Sequence, residues 1–303
     1  MKDCQRALRA EAGRLLTTIA LGAGLALCLV AGTFAQNPNQ GPSDGPWRRE
    51  GQTIWTSAPD GMVKVRTYPG AGITDHPVLV LWIHGDLDPW AEPYAMAQQM
   101  AGVSDNVVMA ALLRPGYSDA EGDWSSGYKG YAIGDNYTAD VVDDVHAVIQ
   151  ALKARFHAGA VVVMGHSGGA GIAANLLGRH PEDADAAVLI ACSCDPKGLA
   201  GRLMAAHPRM PRGIPNPSLT PLDFVDQVSK KTHVRMVIGS MDDVVKLAPS
   251  QAYAQALKAR GVDVELTVVP GAGHVDVLSS PATRQAIAEA IQMEGGKVRS
   301  SAW

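Results

Sequence analysis

No block of like charge occurs anywhere in the sequence. Its 26 lysines and arginines are scattered among 30 aspartates and glutamates, for a formal net charge of −4. Nucleic-acid phosphates and anionic membrane surfaces are gripped by clustered Lys and Arg, so neither is expected as a partner. His-Glu-x-x-His and Cys-x-x-Cys are also missing. Without those zinc-binding spacings, His274-Val275-Asp276 alone offers too few ligands, and neither a catalytic metal nor a cofactor is expected. Cysteine is scarce, at four residues, too few for a disulfide-framed scaffold in a chain of this size. No internal repeat is visible.

What is present begins with an N-terminus unlike the rest. Lys2, Arg6, Arg9 and Arg14 precede an apolar stretch from Leu15 to Val30, followed by Ala31-Gly32-Thr33-Phe34-Ala35 and the polar run Gln36-Asn37-Pro38-Asn39-Gln40. A charged start, an apolar middle and a small residue before polar sequence make a secretory signal peptide. Residues 1–35 are read as that signal, cleaved after Ala35, and the mature protein as periplasmic or secreted. An uncleaved anchor is the alternative, but the apolar stretch falls short of the ~20 residues that span a bilayer. Residues 36–46, rich in Pro, Gly and Asn, read as a disordered lead. One domain is expected over 47–293, and a flexible tail over 294–303.

Removing 1–35 leaves Cys192 and Cys194. Two apart on an extended strand, their side chains share a face at a separation no disulfide bridges, so buried reduced thiols are expected unless the chain bends sharply.

From Trp47 onward, apolar runs alternate with amphipathic segments. Thr53–Ser57 and Met62–Tyr68 flank Pro59-Asp60-Gly61 as a hairpin. Val78–Ile83, Asn106–Leu113, Ala160–Met164, Ala186–Ile190, Val234–Ile238 and Val262–Val269 read as strands, several so continuously apolar that both faces must be covered. Ala139–Phe156 carries Val141, Val145, Val148, Ile149 and Leu152 at helical spacing. Pro249 and Pro281 open two further helices, the first ended by Gly261. This alternation predicts an α/β fold, a mostly parallel central sheet with helices on both faces. Residues 195–222, which include Pro208, Pro211, Pro215, Pro217 and Pro221, read as an irregular insertion too small for a large lid.

Gly165-His166-Ser167-Gly168-Gly169 follows directly on the run Ala160–Met164 and precedes small residues. Gly-x-Ser-x-Gly between a strand and a helix is a nucleophile elbow. Its turn is too tight for side chains at the flanking glycines. It lifts the serine hydroxyl clear of the backbone and aims a helix N-terminus at the same point, where free N–H groups favour developing negative charge. Gly168 is thus expected as one oxyanion donor. A serine needs a base, and His274, in the glycine-rich loop Pro270–His274, is the one histidine well past the last strand.

With His84-Gly85, Arg114-Pro115-Gly116-Tyr117, Gly165–Gly169, Gly239–Val245 and Gly271–His274 in place, the chain resembles the α/β-hydrolase superfamily over about residues 78–276. Within it, the likeness is to dienelactone hydrolases and the catalytic domains of prolyl-oligopeptidase-like peptidases. The resemblance implies Ser167 as nucleophile, His274 as base and an acid in Gly239–Val245, with Asp242 favoured over Asp243; Asp195, after another strand, is a third candidate. It also implies the backbone of Asp86 as second oxyanion donor. Asp86 stands where many lipases carry another glycine, and the nucleophile is serine, so cysteine chemistry does not transfer.

Trp90, Tyr117 and Trp124, among Asp86, Asp88, Glu92, Asp119, Glu121 and Asp123, are the expected substrate-binding wall. Acids and aromatics together would suit a positively charged group such as a peptide amine; a solvated acidic rim is the plainer reading. The expected activity is hydrolysis of an ester or other acyl bond in a small molecule or short peptide. Peptidase action is the alternative, and a non-catalytic binding protein on the same fold a weaker one.

Overall fold

The computed structural model describes residues 51–86, 93–130, 133–206 and 215–299. The expected signal segment, the lead and Trp90 lie outside these residues. The hairpin forms from β1 (Gln52–Ala58) and β2 (Gly61–Pro69), paired antiparallel from Gln52↔Thr67 to Ala58↔Gly61. Pro59 and Asp60 make its two-residue turn, and Gly61 leaves it at a φ of 127°, a backbone geometry only glycine takes without strain.

The remaining strands of the main sheet are β3 (Val78–Ile83), β5 (Val107–Leu112), β6 (Ala160–His166), β7 (Ala186–Ile190), β8 (His233–Gly239) and β9 (Asp263–Val269). Eight strands lie in the order β1-β2-β5-β3-β6-β7-β8-β9. From β5 to β9 all neighbours run parallel; β2 is antiparallel to both β1 and β5.

Why β3 reads as unbroken apolar sequence is now plain. Leu79, Leu81 and Ile83 point into one core layer and Val78, Val80 and Trp82 into the other. The first layer is closed by α2 (Ala139–Phe156), α3 (Gly168–Arg179) and α5 (Leu247–Ala259), the second by α1 (Pro93–Gly102) and α6 (Pro281–Met293). The stripe Val141, Val145, Val148, Ile149 and Leu152 of α2 is fully buried. Thr138 caps this helix by accepting the Val141 N–H, and His157 ends it in a left-handed conformation at φ 49°.

Two expectations are corrected here. The stretch 195–222 is not irregular throughout: α4 (Pro196–Ala206) and the start of a 3-10 helix (Pro221–Gln227) lie in it. Proline at a helix's first position is compatible with helix, since that N–H has no intrahelical partner. The tail is also shorter than 294–303, because β10 (Lys297–Val298) pairs antiparallel with β4 (Ser104–Asp105). Two-residue strands carry no periodicity, so nothing in the sequence marks them. No described helix is long and apolar enough to cross a membrane.

Candidate active site

The parallel strands all end on one side of the sheet, the crevice side in open α/β folds. Ser167 sits there, in the turn between β6 and α3, at φ 54° and ψ −117°. The turn is so closed that a Cβ on Gly165 would stand 2.4 Å from the Gly169 backbone, and one on Gly169 2.1 Å from the Ile83 carbonyl oxygen. The glycines are therefore obligatory. They also place the start of α3 against the end of β3, next to the loop that follows it.

Three side chains meet in line. The Ser167 Oγ and His274 Nε2 are 2.9 Å apart. His274 Nδ1 lies 2.8 Å from Asp242 Oδ2. The second Asp242 oxygen accepts the N–H groups of Val244 (3.0 Å) and Val245 (2.9 Å), which locks the carboxylate. The two loops are zipped by Met241 N–H to Ala272 O (3.0 Å) and Gly271 N–H to Ser240 Oγ (2.9 Å), and His166 Nε2 holds the His274 carbonyl at 3.0 Å. Asp242 is buried while Asp243 faces solvent. Asp195 is turned elsewhere: its carboxylate accepts the Gly198 N–H at the start of α4.

The Asp86 side chain is engaged beneath the elbow. One oxygen accepts Arg114 Nη1 (2.8 Å); the other accepts the Gly134 N–H (2.9 Å) and the Tyr137 hydroxyl (2.8 Å). Arg114 also donates to the His84 carbonyl (3.1 Å) and Asn136 Oδ1 (2.6 Å). A Cβ on Gly168 would fall 2.1 Å from Asp86 Oδ1, so the carboxylate touches the elbow itself. A lone anion there would oppose any oxyanion; the fully buried guanidinium neutralises it. Arg114 was legible only as part of a motif, and its role as clamp of the 84–86 loop was not. Arg114→Lys keeps the charge but loses the planar fork. We expect kcat to fall by on the order of tenfold with KM changed less, because only the donors facing the reacting oxygen lose their alignment. Steady-state kinetics on a variant shown by circular dichroism to be folded would check this. A lower Tm with unchanged kcat would leave Arg114 a purely structural role.

Tyr117 is not part of the wall. It is buried, edge-on to His84 at 5.0 Å between ring centroids, with the Arg114 guanidinium 4.7 Å from its own ring centre. Trp124, by contrast, is exposed. Three of the acids near it in sequence are paired, while Asp88 and Glu92 lie outside the described residues. Asp119, Glu121 and Asp123 converge on the buried Lys64 ammonium at 2.6, 2.8 and 2.6 Å, Arg66 takes Glu121 at 2.6 Å, and the Tyr94 hydroxyl donates to Asp119. Lys64 and Tyr94 hold their protons far above their usual ranges; burial works against the ammonium, but the carboxylate hydrogen bonds outweigh it, whereas for Tyr94 burial and Asp119 act together. A lysine inside an antiparallel strand reads as solvent-facing in the sequence, so this pairing was not foreseeable.

The thiol expectation is overturned. Cys192 and Cys194 are joined in a disulfide, with their Cα atoms 5.2 Å apart. β7 stops at Ile190, and Ala191 turns the chain at φ 46°, so the pair does not sit on an extended strand. The ring presents Ser193 N–H to the Ser167 carbonyl at 3.1 Å.

Elbow, hydrogen-bonded Ser-His-Asp line and mostly parallel sheet together define a serine hydrolase of the α/β-hydrolase class. The model of the prolyl oligopeptidase family matches residues 119–293, more than half of the chain. The chain belongs to the prolyl oligopeptidase family. No curated protein matches it in sequence. Among solved structures it is similar to an esterase of Pyrococcus furiosus (TM-score 0.61, 18% identity, covering 82% of this chain and 95% of that one). It is also similar to a puromycin-hydrolyzing peptidase of Mycobacterium tuberculosis (0.60, 17%, 81% and 39%) and to dipeptidyl peptidase 4 of Porphyromonas gingivalis (0.57, 15%, 80% and 35%). The chain thus spans less than half the length of either peptidase. At these identities the likeness is one of fold.

Proposed function

We propose that the protein is an exported carboxylesterase-like hydrolase that cleaves small, uncharged acyl compounds through an acyl-enzyme on Ser167. The observation that carries this reading is the 2.9 Å contact between Ser167 Oγ and His274 Nε2, with Asp242 behind the imidazole. Ser167 Oγ attacks the acyl carbonyl as its proton passes to His274 Nε2. The negative oxygen so formed is held by the backbone N–H groups of Gly168 and Asp86. His274 then hands the proton to the departing alcohol, leaving the acyl group on Ser167. Water, deprotonated by the same nitrogen, attacks that ester, and the carboxylic acid leaves with Ser167 restored.

Charge bookkeeping favours a neutral substrate. Recognition of a peptide amine needs an acid free to pair with it, and among the described acids of the expected wall Asp86, Asp119, Glu121 and Asp123 are each engaged by Arg114, Lys64 or Arg66; Asp88 and Glu92 lie outside the described residues. Peptidase or amidase action is the second reading, favoured by the family match. A panel of p-nitrophenyl esters and aminoacyl anilides separates the two: the expected result is turnover of short neutral esters with anilides at least 100-fold slower in kcat/KM. Faster anilide cleavage would reverse the assignment, and silence toward both panels and toward a fluorophosphonate would leave a binding protein.

Export rests on the charged, apolar and small-residue pattern of residues 1–35. N-terminal sequencing of protein from the periplasm of a Gram-negative host is expected to begin at Gln36. Intact Met1 on cytoplasmic protein would refute export.

A further inference from the structure

Two stacked histidines lie at the far end of the nucleophile helix. His146 is on α2; His180 caps the C-terminus of α3. Ser167 caps the other end, and a helix of 12 residues separates the two by about 18 Å. The imidazoles are parallel within 12°, with centroids 4.0 Å apart.

Each ring is oriented by a carboxylate. His146 Nδ1 lies 2.8 and 3.0 Å from the two oxygens of Asp183, and His180 Nε2 lies 2.8 Å from Asp143 Oδ1. A carboxylate can only accept, so these nitrogens carry the protons. His146 Nε2 and His180 Nδ1 are then left with lone pairs when the rings are neutral. A histidine whose other nitrogen donates to a carboxylate is the usual arrangement behind a metal-bound imidazole. A Glu182 oxygen and one nitrogen from each ring all lie within 4.8 Å of one another.

The charges around the pair point the same way. The Asp183 side chain is fully buried, yet its partners are His146 and the Gln150 amide; among the described residues no lysine or arginine pairs with it. Asp143 by contrast has Arg179 in a two-pronged contact at 2.8 Å to each oxygen. A cation held by the two rings and Glu182 would balance Asp183 through His146. The acid cluster Asp119, Glu121 and Asp123 needs none, because the Lys64 ammonium already fills it.

We propose that His146, His180 and Glu182 bind one divalent transition metal of the zinc class, with water as fourth ligand. Two imidazoles and a carboxylate suit this borderline ion, at ~2.0–2.2 Å from each ligand. Parallel rings cannot both aim a lone pair at one point, so binding turns them out of the stack; both side chains are part-exposed, at 31% and 19%, and are not locked in by packing on every side. The metal pins the end of α3 to α2. It serves stability and takes no part in the hydrolysis at Ser167.

The test is titration of chelator-treated full chain with Co2+ and Zn2+, followed by visible absorption and thermal melting. One Co2+ per chain with a tetrahedral d–d spectrum is expected, and a Tm rise of about 5–10 °C at free metal 100-fold above Kd. His146→Gln and His180→Gln should each weaken binding at least 100-fold, and Asp183→Asn by roughly 10–100-fold. Ser167→Ala should bind as the unaltered protein does, so the site stands or falls apart from the esterase reading. Variants whose metal-free Tm matches that of the unaltered protein are the ones to compare. No cobalt spectrum, or binding indifferent to both histidine changes, would overturn the proposal.

Discussion

Ser167→Ala is expected to lower kcat by on the order of 10⁶ and to abolish labelling by a fluorophosphonate. The Ser167 backbone N–H bonds Ile190 O at 2.9 Å and its carbonyl is met by Ser193 N–H. Alanine keeps both, and loses only the hydroxyl at 2.9 Å from His274. The fold should therefore survive while the covalent step vanishes. Mass spectrometry of the labelled protein checks the assignment: the adduct must sit on Ser167. An adduct on another serine, with turnover persisting in the alanine variant, would move the chemistry elsewhere.

Asp242→Asn is expected to cost about 10⁴ in kcat, by analogy with other triads, and the structure supplies the reason. The N–H groups of Val244 and Val245 demand an acceptor at Oδ1, so an asparagine would keep its oxygen there and turn its NH₂ toward His274 Nδ1. The imidazole would then carry its proton on Nε2 and present a donor, not an acceptor, to Ser167. Asp243→Asn, on the solvent side, should alter kcat less than twofold. Equal losses in the two variants would reassign the acid.

The legible parts of this molecule are those with local signatures. Gly165–Gly169 could be read because a strand-to-helix elbow dictates glycine at fixed offsets, and β3 because burial on both faces removes every polar residue. Asp242 needed the family's order of residues; its burial and its two N–H partners come only from the fold. The interlock of Asp86, Arg114, Asn136 and Tyr137 escaped because it joins residues up to 51 apart in sequence, and no spacing rule reports such a meeting. Tyr117 failed for the same reason: an aromatic in a loop reads alike whether it faces substrate or a buried guanidinium. The disulfide escaped because the strand stops at Ile190 and the chain turns at Ala191, so the extended geometry assumed for the two cysteines does not apply.

The knot of Lys64 with Asp119, Glu121 and Asp123 also bears on how substrate arrives. Three carboxylates facing water would cast a negative field over the mouth, repelling anions and drawing in cations from about one Debye length, ~8 Å at physiological salt. Paired with a buried ammonium, with Arg66 on Glu121, they cast less. Beside this cluster an approaching molecule meets the exposed Trp124 indole with less long-range pull or push than three unpaired carboxylates would exert, which gives diffusion and fit a larger share in capture there. Sodium chloride in the assay should then leave the rate of capture of neutral and charged esters nearly alike.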